Sequence, residues 1–150
     1  RKQCPEKEIL LWDGYCPIHN SITQQDVLRA KAQHPSAKLA MHPECPPEAL
    51  QHADMIGATS AIIDYALQNE QEDILFGTEC GVYNDLIQKY PRRHFYQLRG
   101  DKLICPDMKM TSLQDVYMAI TGAGGEEIVL EEPLRKAAKR SLDNMLKYGG

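Results

Sequence analysis

Short apolar runs alternate with amphipathic stretches along this chain, and the alternation predicts its elements before any single residue is weighed. Ile9, Leu10, Leu11 and Trp12 form an apolar run ended by the turn signal Asp13-Gly14, and read as a short buried segment. Residues 23–34 read as a helix. Thr23 is placed as its N-cap with Asp26 three positions on, and Val27, Leu28 and the stem of Lys31 share a face. A strand over 37–41 is stopped by His42-Pro43, and Pro47 opens a short helix, since proline suits the first helical turn.

The pattern then repeats. Met55-Ile56 leads into Gly57, and a helix over 59–68 turns Ile62, Ile63, Ala66 and Leu67 inward. Ile74, Leu75 and Phe76 form a strand, followed by a helix over 82–90, a strand over 94–98 and a helix over 113–120. Ile128, Val129 and Leu130 precede a last helix over 132–148, with Pro133 at its start. Such alternation with short connections predicts an α/β fold: a three-layer αβα, Rossmann-like domain with a short parallel sheet. Ligands of such sheets bind beyond the carboxyl ends of the strands, so chemistry is expected at the strand exits.

Composition narrows the classes. At 150 residues, 43% hydrophobic and 25% charged, the chain is an ordinary globular sequence long enough for one compact domain. A net charge of -4 argues against a general nucleic-acid binder, and Arg92-Arg93-His94 is too short a basic cluster to alter that. No apolar run approaches the roughly 20 residues that span a bilayer. No basic segment followed by an apolar one marks a secretory signal, and a cytoplasmic location is expected. The sequence opens on Arg1 and reaches strand-like residues almost at once, so an upstream part is expected to be missing. Five cysteines (Cys4, Cys16, Cys45, Cys80 and Cys105) with no CxxC pair fit reduced thiols or scattered cluster ligands better than a disulfide framework.

Polar, thiol and glycine groups gather at the exits. Cys16 and Cys105 each precede a proline; either is a small buried hydrophobe or a metal ligand, and Cys-Pro recurs beside iron–sulfur ligands. His42 and Glu44 flank Pro43 and are either an exposed loop or a proton-handling pair. Gly57-Ala58-Thr59-Ser60 is an ordinary helix cap or a carboxylate or phosphate site. Cys4, Cys45 and Cys80 read as non-ligands. His19, His34, His52 and His94 read as surface or turn residues, His19 being the least settled, and Met108 and Met110 read as packing.

Five strings in order resemble the quinolinate synthases: WDGYCPIH at 12–19, MHPECPPE at 41–48, GATS at 57–60, GTECG at 77–81 and CPDMKMTSL at 105–113. The resemblance covers nearly the whole chain. It implies three similar α/β domains around a pseudo-threefold axis, each giving one cysteine to a [4Fe–4S] cluster whose fourth iron lacks a protein ligand. It implies condensation of iminoaspartate with dihydroxyacetone phosphate to quinolinate, a precursor in NAD biosynthesis. Position by position, Cys16 and Cys105 resemble the second and third cluster cysteines. His42 and Glu44 match a pair lying against the substrate and taken as catalytic. Thr59, with Ser60 beside it, matches a carboxylate-binding hydroxyl, and Met110 a residue packing near the substrate.

By the same resemblance, residues 1–15 finish one domain, 16–105 form the third, and 106–150 return to the first. The family's first cluster cysteine and N-terminal substrate residues have no counterpart here, so the chain is expected to be a C-terminal half, inactive alone. Its expected partners are the missing half, the two small-molecule substrates, and L-aspartate oxidase as iminoaspartate supplier, with no nucleic acid or membrane. Two other readings compete. One is a non-enzymatic α/β module binding a small phosphorylated metabolite through residues 57–60. The other is a redox sensor built on Cys45 or Cys80, which requires an exposed thiol of depressed pKa.

Overall fold

Successive residues of a strand point to opposite faces of its sheet, and in this protein both faces are apolar. The computed structural model describes residues 5–10, 12–70 and 72–149. Its four short strands are β1 (Lys38–Met41), β2 (Met55–Ile56), β3 (Ile74–Gly77) and β4 (Phe95–Gln97). They form one parallel sheet in the order β2-β1-β3-β4, with Leu39 opposite Leu75 and Leu75 opposite Tyr96. Leu39, Met41 and Leu75 point into one core with Ile22, Val27, Ala30 and Leu103. Ala40, Ile74 and Phe76 point into the other with Ile62, Ala66, Leu86 and Phe95. All four residues of β3 are buried, as the central position of a parallel sheet covered on both faces demands. Each large apolar side chain so buried contributes about 1.5–3 kcal/mol.

The covering helices are α1 (Pro17–Asn20), α2 (Gln24–Gln33), α3 (Pro47–Leu50), α4 (Thr59–Gln68) and α5 (Cys80–Lys89). Together with the sheet they make the mixed α/β, three-layer arrangement expected. α2 begins as its sequence suggested: the Thr23 side chain accepts from the Asp26 amide at 3.2 Å, while the Thr23 amide donates to Asp26 Oδ2 at 3.0 Å. Its inward face is Val27 and Ala30, whereas Leu28 is half exposed. The expected face was thus rotated, because Ala30 rather than Leu28 meets the core at helical spacing.

Asp26 does more than cap. It is buried, and Lys102 donates to its Oδ2 at 2.8 Å while Arg99 pairs with Oδ1. Burial opposes its ionisation, but hydrogen bonds from Lys102, the Thr23 amide and hydroxyl, and Arg99 outweigh it. The carboxyl is held well below the usual carboxylate range. Lys102 also donates to the Ser21 carbonyl at 3.1 Å, so the segment after β4 is tied to the start of α2.

The run over 9–12 departs from expectation. Ile9, Leu10 and Trp12 are not in a strand, and Leu10 and Trp12 are 88% and 91% exposed; Leu11 lies outside the described residues. Apolar composition makes a strand only where a neighbouring edge takes its hydrogen bonds, and among the described residues no strand pairs with this segment.

The chain divides into two compact units, Arg1–Pro106 and Asp107–Gly150. The second holds a 3-10 turn at Asp107–Lys109 and the helices α6 (Leu113–Thr121) and α7 (Glu132–Gly149). α6 opens on a capping box between Ser112 and Asp115 and closes on Gly122, whose φ of 67° suits a residue without Cβ. None of the second unit's described side chains is buried.

Candidate metal centre

The exits of β1 and β3 lie side by side, and α1 packs onto them. The His42 amide donates to the Gly77 carbonyl at 3.1 Å, extending the β1–β3 ladder by one bond. Gly77 permits this approach: a Cβ there would stand 2.7 Å from Met41 Cγ. Cys16 is the N-cap of α1 and its carbonyl accepts from the Asn20 amide at 2.9 Å. One helical step on, His19 turns inward to 8% exposure.

His19 is the hinge of the arrangement. Its ring stacks on that of His42, with centroids 4.3 Å apart and planes 14° from parallel. Its Nε2 lies 3.3 Å from Thr78 Oγ1, a buried hydroxyl just past β3. Its Nδ1 lies 3.3 Å from Glu44 Oε2, close enough for an ion pair but out of line for a hydrogen bond. Among the described residues Nδ1 has no hydrogen-bond partner, and the Nε2–Thr78 contact serves either ring tautomer because the hydroxyl can donate or accept. Burial first, and His42 second, push the His19 pKa down, while Glu44 and Glu79 pull it up. His42 Nδ1 accepts from the Glu44 amide at 3.4 Å and stands 3.5 Å from Glu44 Oε2. Ligand atoms of Cys16, His19 and Glu44 all fall within 4.8 Å of one another.

Cys105 reaches the same end of the sheet from the segment after β4. Its amide donates to Glu79 Oε1 at 3.3 Å, and the Cys80 amide donates to the Leu103 carbonyl at 2.8 Å. Glu79 is buried and also accepts from the Gly81 amide at 2.7 Å and from Cys80 Sγ at 3.2 Å. Cys16 and Cys105 are free thiols of intermediate exposure. Cys45 is free but buried, donates to the Gly77 carbonyl at 3.6 Å, and burial pushes its thiol up to about 12. That is the reverse of what a redox-sensing thiol requires. Cys80 is buried as well, and Cys4 lies outside the described residues.

Of the residues singled out from sequence, Cys16, His42 and Glu44 come together. Thr59 and Ser60 are exposed at the first turn of α4, whose N-cap is Ala58 without a side-chain bond, so neither hydroxyl acts as the cap. That helix adjoins the β1 exit through the Gly57 amide, which donates to the Met41 carbonyl at 3.1 Å. Met110 is exposed in the second unit. His19 is the correction: read as a surface or turn residue, it is buried at the centre. The usable signal was its spacing, since three positions after Cys16 lie on the same face of one helical turn. Thr78 and Glu79 sat inside a quoted motif without a role.

The sequence matches the family model "Quinolinate synthetase A protein" over residues 1–147. It is 41% identical to the quinolinate synthase of Caldicellulosiruptor bescii over 149 residues, covering 99% of this chain and 48% of that protein. It is 39% identical to the quinolinate synthase of Clostridium kluyveri over 145 residues, 97% of this chain and 47% of that protein. With that of Thermodesulfovibrio yellowstonii it shares 36% over 146 residues, 97% and 48% of the two chains. The chain thus spans about half the length of the curated relatives it matches. With strands, thiols and the His-Pro-Glu segment all inside the matched range, the chain belongs to the quinolinate synthetase A protein family.

Proposed function

We propose that this chain is the C-terminal half of a cytoplasmic quinolinate synthase, and that Cys16 and Cys105 supply two of three thiolates to a [4Fe–4S] cluster. The observation that carries the reading is the convergence of Cys16, His19, His42 and Glu44 beyond β1 and β3, with Cys105 pinned to the same exit through Glu79. The donor chemistry fits: two free, half-exposed thiols at strand ends suit iron–sulfur ligation. Bound there, a cluster with one open iron supplies Lewis acidity toward a substrate carboxylate or departing water.

The chain's own residues do the rest. Glu44 is exposed at the mouth of the group and can accept or return a proton, while the stacked His42 and His19 rings fix where it points. The exposed Thr59 hydroxyl, with Ser60 beside it, and the amides at the start of α4 offer donors to a substrate carboxylate. Met110 is assigned to packing near the substrate. The reaction so served is condensation of iminoaspartate with dihydroxyacetone phosphate to quinolinate for NAD biosynthesis, with L-aspartate oxidase supplying the first substrate.

The test is anaerobic iron–sulfide reconstitution of the complete enzyme beside Cys16→Ser and Cys105→Ser. Both variants are expected to lose iron, the broad visible absorbance and quinolinate formation together. Cluster and activity intact in either would reduce that cysteine to packing and undo the assignment. The 150-residue chain alone is expected to hold no stoichiometric cluster and to be inactive; a competent cluster on it would refute the three-thiolate reading. A Glu44→Gln enzyme turning over at the unmodified rate would remove Glu44 from proton transfer.

A further inference from the structure

An imidazole and a carboxylate face each other at the centre of the site. His19 is 8% exposed, its Nε2 lies 3.3 Å from Thr78 Oγ1, and its Nδ1 faces the Glu44 carboxylate 3.3 Å away. Nδ1 finds no hydrogen-bond donor among the described residues. Such a pair is held together by a cation shared between its two atoms, either a proton or a metal ion. Cys16 Sγ, held at the start of the same short helix, completes a group whose ligand atoms lie within 4.8 Å of one another.

We propose that, in the cluster-free chain, Cys16 Sγ, His19 Nδ1 and Glu44 Oε2 bind one borderline divalent cation such as Zn2+, Co2+ or Fe2+, leaving a fourth position open. The dimensions suit a tetrahedral ion. Arms of about 2.0–2.1 Å to nitrogen and oxygen set those atoms about 3.3 Å apart, and Nδ1 to Oε2 is 3.3 Å already. A sulfur arm of about 2.3 Å requires Sγ about 3.6 Å from the other two, so closure of about 1 Å suffices. Rotation of the partly exposed Cys16 side chain, with a small shift of the exposed Glu44, supplies that movement. The mixed sulfur, nitrogen and oxygen set selects borderline metals over Mg2+ or Ca2+. The outer contacts are those a metal-bound histidine uses: Nε2 is held at the Thr78 hydroxyl, and the His42 stack fixes the ring plane.

Cys16 cannot serve this ion and the cluster together, so the two are mutually exclusive; that clause alone rests on the proposed function. Anaerobic titration of the reduced, metal-free chain with Co2+ decides the matter. The unmodified chain is expected to bind one equivalent, with thiolate-to-cobalt charge transfer in the near ultraviolet and the strong visible bands of tetrahedral Co2+. Cys16→Ser is expected to abolish the charge-transfer band. His19→Gln and Glu44→Gln are expected to weaken binding by at least about 10–100-fold, the loss that outer-shell changes alone incur. Cys105→Ser is expected to bind Co2+ as the unmodified chain does, even where it loses the cluster in the complete enzyme. Unchanged affinity in Glu44→Gln, which lies outside the core and so does not threaten folding, overturns the proposal. Loss of the charge-transfer band in Cys105→Ser overturns it as well, by placing the cobalt at another thiol.

Discussion

Both units start a helix with the same device, a hydroxyl and an aspartate three residues apart, yet the two sit in different surroundings. At α2 the Asp26 side of the Thr23–Asp26 box is buried and its carboxylate also holds Arg99 and Lys102 from more than seventy residues away. At α6 the Ser112–Asp115 box has equal local geometry, with Ser112 Oγ donating at 2.6 Å, but among the described residues its side chains bond only each other's residues and it is exposed. The same contrast runs through the apolar positions. Val27 and Ala30 of α2 are buried, whereas Leu142, Met145 and Leu146 of α7 stand in solvent. Local sequence sets up a cap or an apolar face; what the face meets decides its worth.

The contrast can be broken by measurement. Phe76→Ala is expected to cost about 3–5 kcal/mol in denaturant unfolding, and Leu142→Ala less than about 0.5 kcal/mol. Equal losses would mean that the two units do not differ as their exposures say. Asp26→Asn is next, at about 3 kcal/mol, because it takes from Lys102 its buried carboxylate partner and leaves Arg99, among the described residues, with Asp101 alone. Since Asp26 titrates lower folded than unfolded, its contribution is present above the unfolded value of about 3.9 and lost as pH falls below it. The acid limb of the stability profile is therefore expected to flatten in Asp26→Asn, and an unaltered limb would dismiss Asp26 as its source.

Thr23→Ala is smaller, about 0.5–2 kcal/mol. Ser112→Ala is expected to fray the first turn of α6 in amide exchange while leaving the unfolding midpoint of the sheet unit in place. Smallest of all, and a matter of rate alone, is alkylation by iodoacetamide near neutral pH. Cys16 and Cys105, both partly exposed, are expected to react ahead of Cys45, whose thiol is buried and pushed up to about 12. Peptide mass spectrometry of a time course reads the order, and early labelling of Cys45 would contradict its burial.

Much of the sheet was legible because its signals are local. β3 is an unbroken apolar run, as burial on both faces requires, and Pro47 and Thr23 mark helix starts by their own chemistry. What escaped depends on residues far apart in sequence. Nothing near Asp26 announces Arg99 and Lys102, and nothing near His19 announces Thr78 or the stack on His42. The apolar run over 9–12 shows the complementary failure: its composition names a face without naming the edge it would pair with. For the site, the cysteines and the His-Pro-Glu segment stood out by residue type. The histidine that gathers them did not, because burial is a property of the assembled exits.

The Asp26 contacts have a further consequence for motion. Cys105 follows β4 on what resembles an ordinary surface connection, the sort of segment that opens independently of the rest. Here Arg99 and Lys102 are lashed to the start of α2, Leu103 is fully buried, and the Cys105 amide is held by Glu79. Releasing residues 99–105 therefore uncaps a helix and opens a core in the same event. In hydrogen-exchange terms the bonded amides of Lys102, Leu103 and Cys105 are expected to exchange with the opening of that helix start and core. The thiol at position 105 is thus carried by a segment whose release costs a helix cap and a buried leucine contact.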